Sequence, residues 1–205
     1  MLLAIDSSTG TSVAVVDRDG GILAELSVAD TMGHAEVVGA LIRDALGQAG
    51  VRPADLSAVA CGMGPGPFTG LRIGIAAARA FALGAGKPVV PVVSHDAIAS
   101  AWYRDGNTGS LLITTDARRR ELYWSSYSGE TAERLPVRVA GPALATPDAV
   151  PEPTGVRLDA VAVSAGALGM LAESTWAAGA AFAADEPLYL RSPDVTLSTR
   201  KRVTG

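Results

Sequence analysis

The stretch from Ala60 to Gly86 reads ACGMGPGPFTGLRIGIAAARAFALGAG. The apolar run Leu56 to Cys61 predicts a buried strand, Gly62 to Gly70 a loop dense in glycine and proline, and Leu71 to Leu83 a helix apolar over most of its circumference. This order is typical of the edge of a ligand cleft in an α/β sheet, because backbone amides at a helix start can face an anion. The stretch lacks the Gly-Lys-Ser/Thr that closes a P-loop and the glycine spacing of a dinucleotide-binding motif. It therefore leaves open whether this loop binds a ligand or contacts another protein.

Composition narrows the class of protein. The chain has 205 residues, 48% of them hydrophobic, which is enough for a buried core, and a net charge of −4 that argues against broad contact with nucleic acid through this chain alone. The one cysteine, Cys61, lies in the predicted strand and is expected to be a structural thiol. The sequence Met1 to Asp6 lacks signal-peptide features, and no uninterrupted apolar run reaches the length of a membrane span. We expect a cytoplasmic protein that does not enter a membrane.

Three predicted strands open the chain. Leu2 to Ile5 ends at Asp6, a turn rich in hydroxyl groups leads to Ser12 to Asp17, and an Asp-Gly-Gly hairpin signal precedes Ile22 to Ser27. Asp6 has two interpretations: it caps the first turn, or it presents a carboxylate to a metal or a phosphate. The residues alone favour neither.

Two predicted helices carry more apolar surface than one sheet can cover. The first, Ala35 to Ala49, stops at Gly50. Glu36 and Arg43 in the first helix, and Arg72 and Arg79 in Leu71 to Leu83, lie seven residues apart on one stripe, and apolar residues surround the rest. The helices either pack on each other and on the sheet, or they dock on another chain, which we favour because the surplus occurs twice. The predicted docking residues are Ala35, Val38, Gly39, Ile42, Arg72, Ile73, Ala76, Ala77 and Ala80.

The second half of the chain repeats the order of the first. The first half ends with a predicted strand at Val89 to Val93, a helix capped by Ser94 and a polar link. The next predicted strand, Leu111 to Thr115, is followed by Asp116, as the first strand of the chain is followed by Asp6. Further predicted elements are the strands Glu121 to Ser126, Arg134 to Val139 and Ala160 to Val163, and the helix Ala167 to Ala178. We predict an α/β fold of duplicated βββαβα lobes, residues 1–104 and a reduced 110–191, followed by a tail, 192–205.

Such a duplicated lobe with an aspartate after each first strand resembles the ASKHA superfamily of actin, hexokinase and Hsp70. Four sequence words in order narrow the resemblance: AIDSST from Ala4, GPGPFTGLRIG from Gly64, DARRRELY from Asp116 and PLYLR from Pro187. They are similar to the TsaB (YeaZ) family, whose members take part in making N6-threonylcarbamoyladenosine at position 37 of tRNA.

The resemblance implies that this chain pairs with its paralogue TsaD, the transferase, in an assembly with the ATPase TsaE. TsaD holds a metal with a His-x-x-x-His pair after a Gly-Lys-Pro strand, and those positions correspond here to Ser94 and Ile98, which cannot replace two imidazoles. The expectation is therefore no metal, no cofactor, no catalytic residue and no metallopeptidase activity. His95, one position off, is expected to face solvent or cap the helix, and His34 to be a helix-start or interface residue.

The resulting hypothesis is a non-catalytic but required subunit that docks on TsaD and supports it, forms a homodimer when alone, and meets tRNA indirectly. The alternative is a stand-alone ASKHA-type ATPase or phosphotransferase. Its nucleotide site, which we expect to be vestigial because the second lobe is short, would use Asp6, Ser8, Thr9, Gly66 and Thr69.

The basic cluster Arg118, Arg119 and Arg120 has two interpretations. It is a solvated turn, or it contacts tRNA or the TsaD and TsaE side of the assembly. The basic residues Arg200 to Arg202 are expected to belong to a disordered end. The aromatic residues Trp102, Tyr103, Tyr123 and Trp124 are expected to fill the core and the junction of the lobes.

Overall fold

The computed structural model describes residues 1–29 and 33–191. Within these ranges the chain forms strands and α-helices in two successive groups. They are β1 (Leu2–Asp6), β2 (Thr11–Asp17), β3 (Gly21–Val28), α1 (His34–Ala49), β4 (Ala58–Gly62), α2 (Phe68–Ala85), β5 (Val89–Val92), α3 (Ser94–Arg104), β6 (Leu111–Asp116), β7 (Leu122–Glu130), β8 (Pro136–Ala145), β9 (Val156–Asp159) and α4 (Ala165–Ala177).

Two sheets with the same internal order organise these elements. The first has the order β3-β2-β1-β4-β5 and the second β8-β7-β6-β9. In each, an antiparallel meander of three strands is followed by a strand parallel to the first, β4 beside β1 and β9 beside β6. Between β8 and β9 the chain forms only a short 3₁₀ turn, Pro147–Ala149. The predicted duplicated α/β fold with a reduced second lobe is therefore confirmed.

The first sheet is covered on both faces. Alternate side chains of β1, Leu3 and Ile5, pack against α1 and α2, because successive residues of a strand point to opposite faces. Ala4 faces the other way, into a core shared with α3, α4 and Ile113 of the second sheet. Helices α3 and α4 thus lie between the two sheets and join the lobes.

Several predicted boundaries need correction. Helix α2 begins at Phe68, because the fixed φ of the preceding Pro67 suits the start of a helix. The loop before it is therefore shorter than predicted. Helix α3 begins at Ser94, and its N-cap residue is Val93. The prediction that Ser94 caps this helix is therefore wrong. The last strand of the second sheet is β9 and not the apolar run after it, because backbone pairing with β6 sets its position.

Helix α2 is long and apolar enough to cross a membrane, a property that core helices of folded domains share. Arg72 and Arg79 interrupt its apolar surface, and both are exposed. Leu71, Ile75 and Ala78 are buried against the first sheet and α1. The helix is therefore amphipathic in this fold, with one face in the core and another open.

Candidate functional site

The carboxyl end of β1 carries Asp6 into a closed polar junction. Its Oδ1 accepts hydrogen bonds from the backbone amide of Ser8 at 2.8 Å and from Ser8 Oγ at 2.5 Å, and its Oδ2 accepts one from Ser94 Oγ at 2.5 Å. The residue is 2% exposed. Burial raises the pKa of Asp6 above its ordinary value, against the lowering effect of the bonds from Ser8 and Ser94. Both carboxylate oxygens are thus engaged within the chain.

The glycine-rich loop lies directly on this junction. A side chain on Gly62 would collide with Asp6 Oδ2, and a Cβ on Gly66 would lie 2.7 Å from Ser8 Cα. From the second lobe, Tyr123 Oη donates to the carbonyl of Gly66 at 3.2 Å. Protein atoms therefore fill the space between the first turn and the loop, where a phosphate cradle would need room.

The structure brings only part of the predicted nucleotide set together. Asp6, Ser8 and Gly66 meet at the junction just described. Thr9 Oγ1 instead accepts a hydrogen bond from the amide of Val163 at 2.9 Å, which ties the first turn to the second lobe. Thr69 is exposed on the first turn of α2.

Ser94 and Ile98, the two positions at which the resemblance would place a metal-binding histidine pair, are buried. Ser94 donates to Asp6 and accepts from the amide of Gly64 at 3.1 Å, and Ile98 belongs to the core. Across residues 1–29 and 33–191, no three His, Cys, Asp or Glu side chains gather as a metal ion would require.

The prediction that His95 faces solvent or caps a helix is wrong. Its ring is fully buried, with Nδ1 2.8 Å from Ser125 Oγ and Nε2 2.9 Å from Thr115 Oγ1. Burial, with a smaller effect from Arg138, lowers the pKa of His95 to about 3. The neutral ring therefore fastens α3 to the second sheet. No local signal reveals this role, since both partners lie in another lobe.

Two other polar residues are also internal. His34 is the first residue of α1, where its buried Nδ1 lies 2.7 Å from Thr11 Oγ1, so the helix-start interpretation is confirmed and the interface one is not. Cys61 is buried in β4, and burial, the largest cause, raises the pKa of its thiol to about 12. Cys61 is therefore a structural thiol, as predicted.

Helices α1 and α2 pack side by side on the first sheet and still leave an outer surface, here called the two-helix face. Val38 and Ile42 are only 7% and 8% exposed within the chain's own core, so their assignment to a docking surface needs correction. Leu83, the last residue of the predicted docking helix, lies seven residues after Ala76 and is 84% exposed, although it is not among the individual residues predicted to dock. The two-helix face comprises the exposed Ala35, Gly39, Arg72, Ala76, Ala80 and Leu83 with the half-buried Ile73 and Ala77.

The remaining predicted residues lie at the second lobe. Arg118, Arg119 and Arg120 are exposed in the turn between β6 and β7. Tyr103 and Tyr123 are buried and Trp102 and Trp124 half-buried, in agreement with the predicted packing role. The tail 192–205, with its basic residues, lies outside the described residues.

Sequence comparison identifies relatives over almost the whole chain. The family model described as TsaD, tRNA N6-adenosine threonylcarbamoyltransferase, matches residues 5–197. An uncharacterised protein of Mycobacterium tuberculosis is 40% identical over 94% of this chain and 92% of its own length. The tRNA threonylcarbamoyladenosine biosynthesis protein TsaB of Escherichia coli is 36% identical over 62% of this chain and 54% of its own length. The matches to the E. coli protein and to a Mycobacterium leprae relative thus span about half the length of those proteins.

Structural comparison agrees. A Pseudomonas aeruginosa protein described as similar to the peptidase YeaZ superposes with a TM-score of 0.78 at 28% identity, over 93% of this chain and 99% of its own. The chain therefore belongs to the TsaD family, tRNA N6-adenosine threonylcarbamoyltransferase, as one of its TsaB (YeaZ) members.

Proposed function

We propose that this chain is a non-catalytic, required subunit in the biosynthesis of N6-threonylcarbamoyladenosine at position 37 of tRNA, and that it docks on a TsaD transferase. The observation that carries the proposal is the closed junction at Asp6. Both oxygens of that carboxylate are bound by Ser8 and Ser94, and Gly66 lies against Ser8. The name of the E. coli relative supports the pathway.

The junction supports a structural role for the residues that a nucleotide would need. Phosphate binding at a strand end requires backbone amides that face an open space, and here the amide of Ser8 is already donated to Asp6. Ser94 and Ile98 stand where the transferase of this family would hold its metal, and Ile98 has no donor atom. In this proposal TsaD carries out the transfer reaction.

The two-helix face is the proposed docking surface for TsaD. Ile73, Ala76, Ala80 and Leu83 recur at helical spacing along α2, so they form one stripe of small and apolar side chains. Small side chains allow a partner helix to approach closely, and the exposed Leu83 offers a large apolar contact at one end. In the absence of TsaD the same face would serve a homodimer, and TsaE would join the assembly of the two proteins in the cytoplasm.

Reconstitution tests the function. We expect that TsaD and TsaE, with threonine, bicarbonate, ATP and the enzyme that forms threonylcarbamoyl-adenylate, modify a tRNA transcript in the presence of this chain and lose most of that activity without it. Mass spectrometry of the digested tRNA measures the product. Equal yields with and without the chain would overturn the proposal.

A titration with ATP and magnesium tests the alternative of a stand-alone ATPase or phosphotransferase. We expect no saturable binding in the micromolar range and no turnover by the purified chain. Saturable binding with turnover that the isosteric variant Asp6→Asn abolishes would overturn the supporting role.

Substitution of the two-helix face tests docking. Ala76→Arg and Ala80→Arg should leave the isolated chain folded, because both side chains are exposed, yet should weaken pairing with TsaD by about a hundredfold through burial of an unpaired charge. Ala177→Arg, on the exposed end of α4 across the first sheet, is the matched control and should pair normally. Light scattering of the mixtures measures the pairing; full complex formation by both stripe variants would reject this surface.

A further inference from the structure

A cavity lies at the end of the first sheet opposite to Asp6. The first residues of β1, β4 and β5, which are Leu2, Ala58 and Val89, line it together with α4 and the segment that follows α4. Its volume is about 370 Å³, within the range of sites that hold small molecules. Helix α4 packs on the face of the sheet opposite to α1 and α2, so this cavity is separate from the two-helix face.

Two aromatic rings line the cavity. The ring of Trp176, near the end of α4, and the ring of Phe182 are inclined by only 16°, with their centroids 6.5 Å apart. This separation is near the upper limit of direct contact between rings, about 4.5–7 Å, so the two rings pack loosely on each other. Trp176 is 74% exposed. A further flat ring that stacks on this pair would therefore remove a large apolar surface from water.

One carboxylate lines the same cavity. Glu173 lies one helical turn before Trp176, its side chain is only 13% exposed, and its Oε1 lies 3.6 Å from the N-terminal ammonium of Met1. A carboxylate has about four acceptor positions, so this contact leaves others for an N–H group of a ligand.

The charges around the cavity indicate which ligands it excludes. None of the described residues that line it has a basic side chain. The ammonium of Met1 lies between two carboxylates, 3.8 Å from Asp17 and 3.6 Å from Glu173. A phosphate or a carboxylate would therefore find no cation that is free to balance it, whereas a neutral ligand with an N–H group suits Glu173.

We propose that this cavity binds a neutral, bicyclic heteroaromatic molecule that stacks on Trp176 and Phe182 and donates an N–H group to Glu173. Residues 30–32 and 192–205, which lie outside the described ranges, contain no aromatic residue, so they do not supply such a ring. The inference goes beyond the proposed function, because the cavity lies away from Asp6 and from the two-helix face and its occupancy does not depend on TsaD or tRNA.

The test uses indole and N-methylindole, which share the bicyclic ring and differ in the N–H group. Nuclear magnetic resonance of the isotope-labelled full chain follows the side-chain N–H signals of its three tryptophans, and loss of one signal in Trp176→Phe identifies Trp176. We expect indole to shift the Trp176 signal in a saturable manner with a Kd of about 1 mM, and to leave the signals of Trp102 and Trp124 in place. N-Methylindole should bind at least about fivefold more weakly, because it donates no hydrogen bond.

Two substitutions separate the contributions of stacking and of the carboxylate. Phe182→Leu should weaken indole binding about fivefold or more, whereas the matched control Phe68→Leu, at a half-buried ring that contacts Tyr189, should not change it. Glu173→Met keeps an unbranched side chain without the acceptor, so indole and N-methylindole should bind this variant equally.

A Trp176 signal that does not move with indole up to about 10 mM would overturn the proposal. Equal binding of indole and N-methylindole by the natural chain would also overturn it, because Glu173 would then accept no hydrogen bond from the ligand. A Trp176 signal that shifts with protein concentration alone would assign the cavity to a second copy of the chain and reject a small-molecule site. These measurements include neither TsaD nor tRNA, so their failure is distinguishable from the failure of the subunit role.

Discussion

Asp6 and Asp116 begin from the same local structure and end in opposite environments. Each is the last residue of the first strand of its sheet, and each accepts a hydrogen bond at 2.8 Å from the amide two residues later. Asp6 is 2% exposed and bound by hydroxyl groups, whereas the Asp116 side chain is 65% exposed. The difference arises from the covering elements: the glycine-rich loop and α3 enclose the first site, and nothing among the described residues covers the second to the same degree.

Helix α3 connects the two sites through its first two residues. Ser94 donates to Asp6, and His95 contacts Thr115, the residue before Asp116, as well as Ser125. The two aspartates therefore distinguish a buried junction that holds the lobes together from a turn whose side chains are exposed. Substitutions at the two sites and at His95 can test this separation.

The largest effect is expected from removal of the buried carboxylate. Asp6→Ala leaves the Ser8 amide and the hydroxyls of Ser8 and Ser94 without an acceptor, so the free energy of unfolding should fall by about 3 kcal/mol. Asp116→Ala, the matched change at the exposed site, should alter it by less than about 1 kcal/mol. Urea denaturation of both variants measures the difference, and equal losses would contradict the separation.

An intermediate effect is expected from acid, through His95. The pKa of this ring is lowered from 6.5 to about 3 in the folded chain, chiefly by burial, so the unfolded chain binds the additional proton between these values. The free energy of unfolding should fall as the pH is lowered through this window, by up to about 1.4 kcal/mol per pH unit, and the contribution of His95 should not change with pH above it.

The variant His95→Asn isolates this contribution, because asparagine forms hydrogen bonds and does not titrate. Denaturation at pH 7.5, 6 and 5 should show a pH dependence shallower by about one proton in the variant. The same slope in both proteins would mean that the ring is not held neutral.

The smallest effect is expected at the exposed turn. Arg120→Gly removes a left-handed conformation that arginine resists, and it should raise the free energy of unfolding by about 0.5 kcal/mol after the added freedom of the unfolded chain is considered. Arg18→Gly, at an exposed turn with ordinary φ, should instead lower it by about 0.5 kcal/mol. Thermal denaturation measures whether the two changes in the free energy of unfolding have opposite signs. Destabilisation by both substitutions would mean that the backbone of Arg120 is not strained.

The sequence predicts the helices and most strands of this fold well because their signals are local. Helix α1 ends at Ala49, and Gly50 caps it with a φ of 65°, the left-handed conformation expected of a glycine that follows a helix. The prediction of the last strand at Ala160 to Val163 is wrong, because the apolar residues after Ala160 do not pair with β6. Hydropathy alone does not indicate which residues form backbone hydrogen bonds with a neighbouring strand. Helical periodicity also marks both helices as broadly apolar, but it does not tell which apolar residues, such as Val38, the chain's own core takes up.

The sequence by itself determines the duplicated lobes, the family words, the serine and isoleucine at positions 94 and 98, and the position of the basic turn, since each depends on the identity and order of residues. Only the tertiary structure decides that Asp6 is buried among its hydrogen-bond partners and that the neutral ring of His95 joins α3 to the second sheet. The same holds for the contacts of Arg191 with Ala117 and Glu121, on either side of residues 118–120. Each of these depends on contacts between residues distant in the chain, and burial and hydrogen bonding set their chemistry only after the lobes have come together.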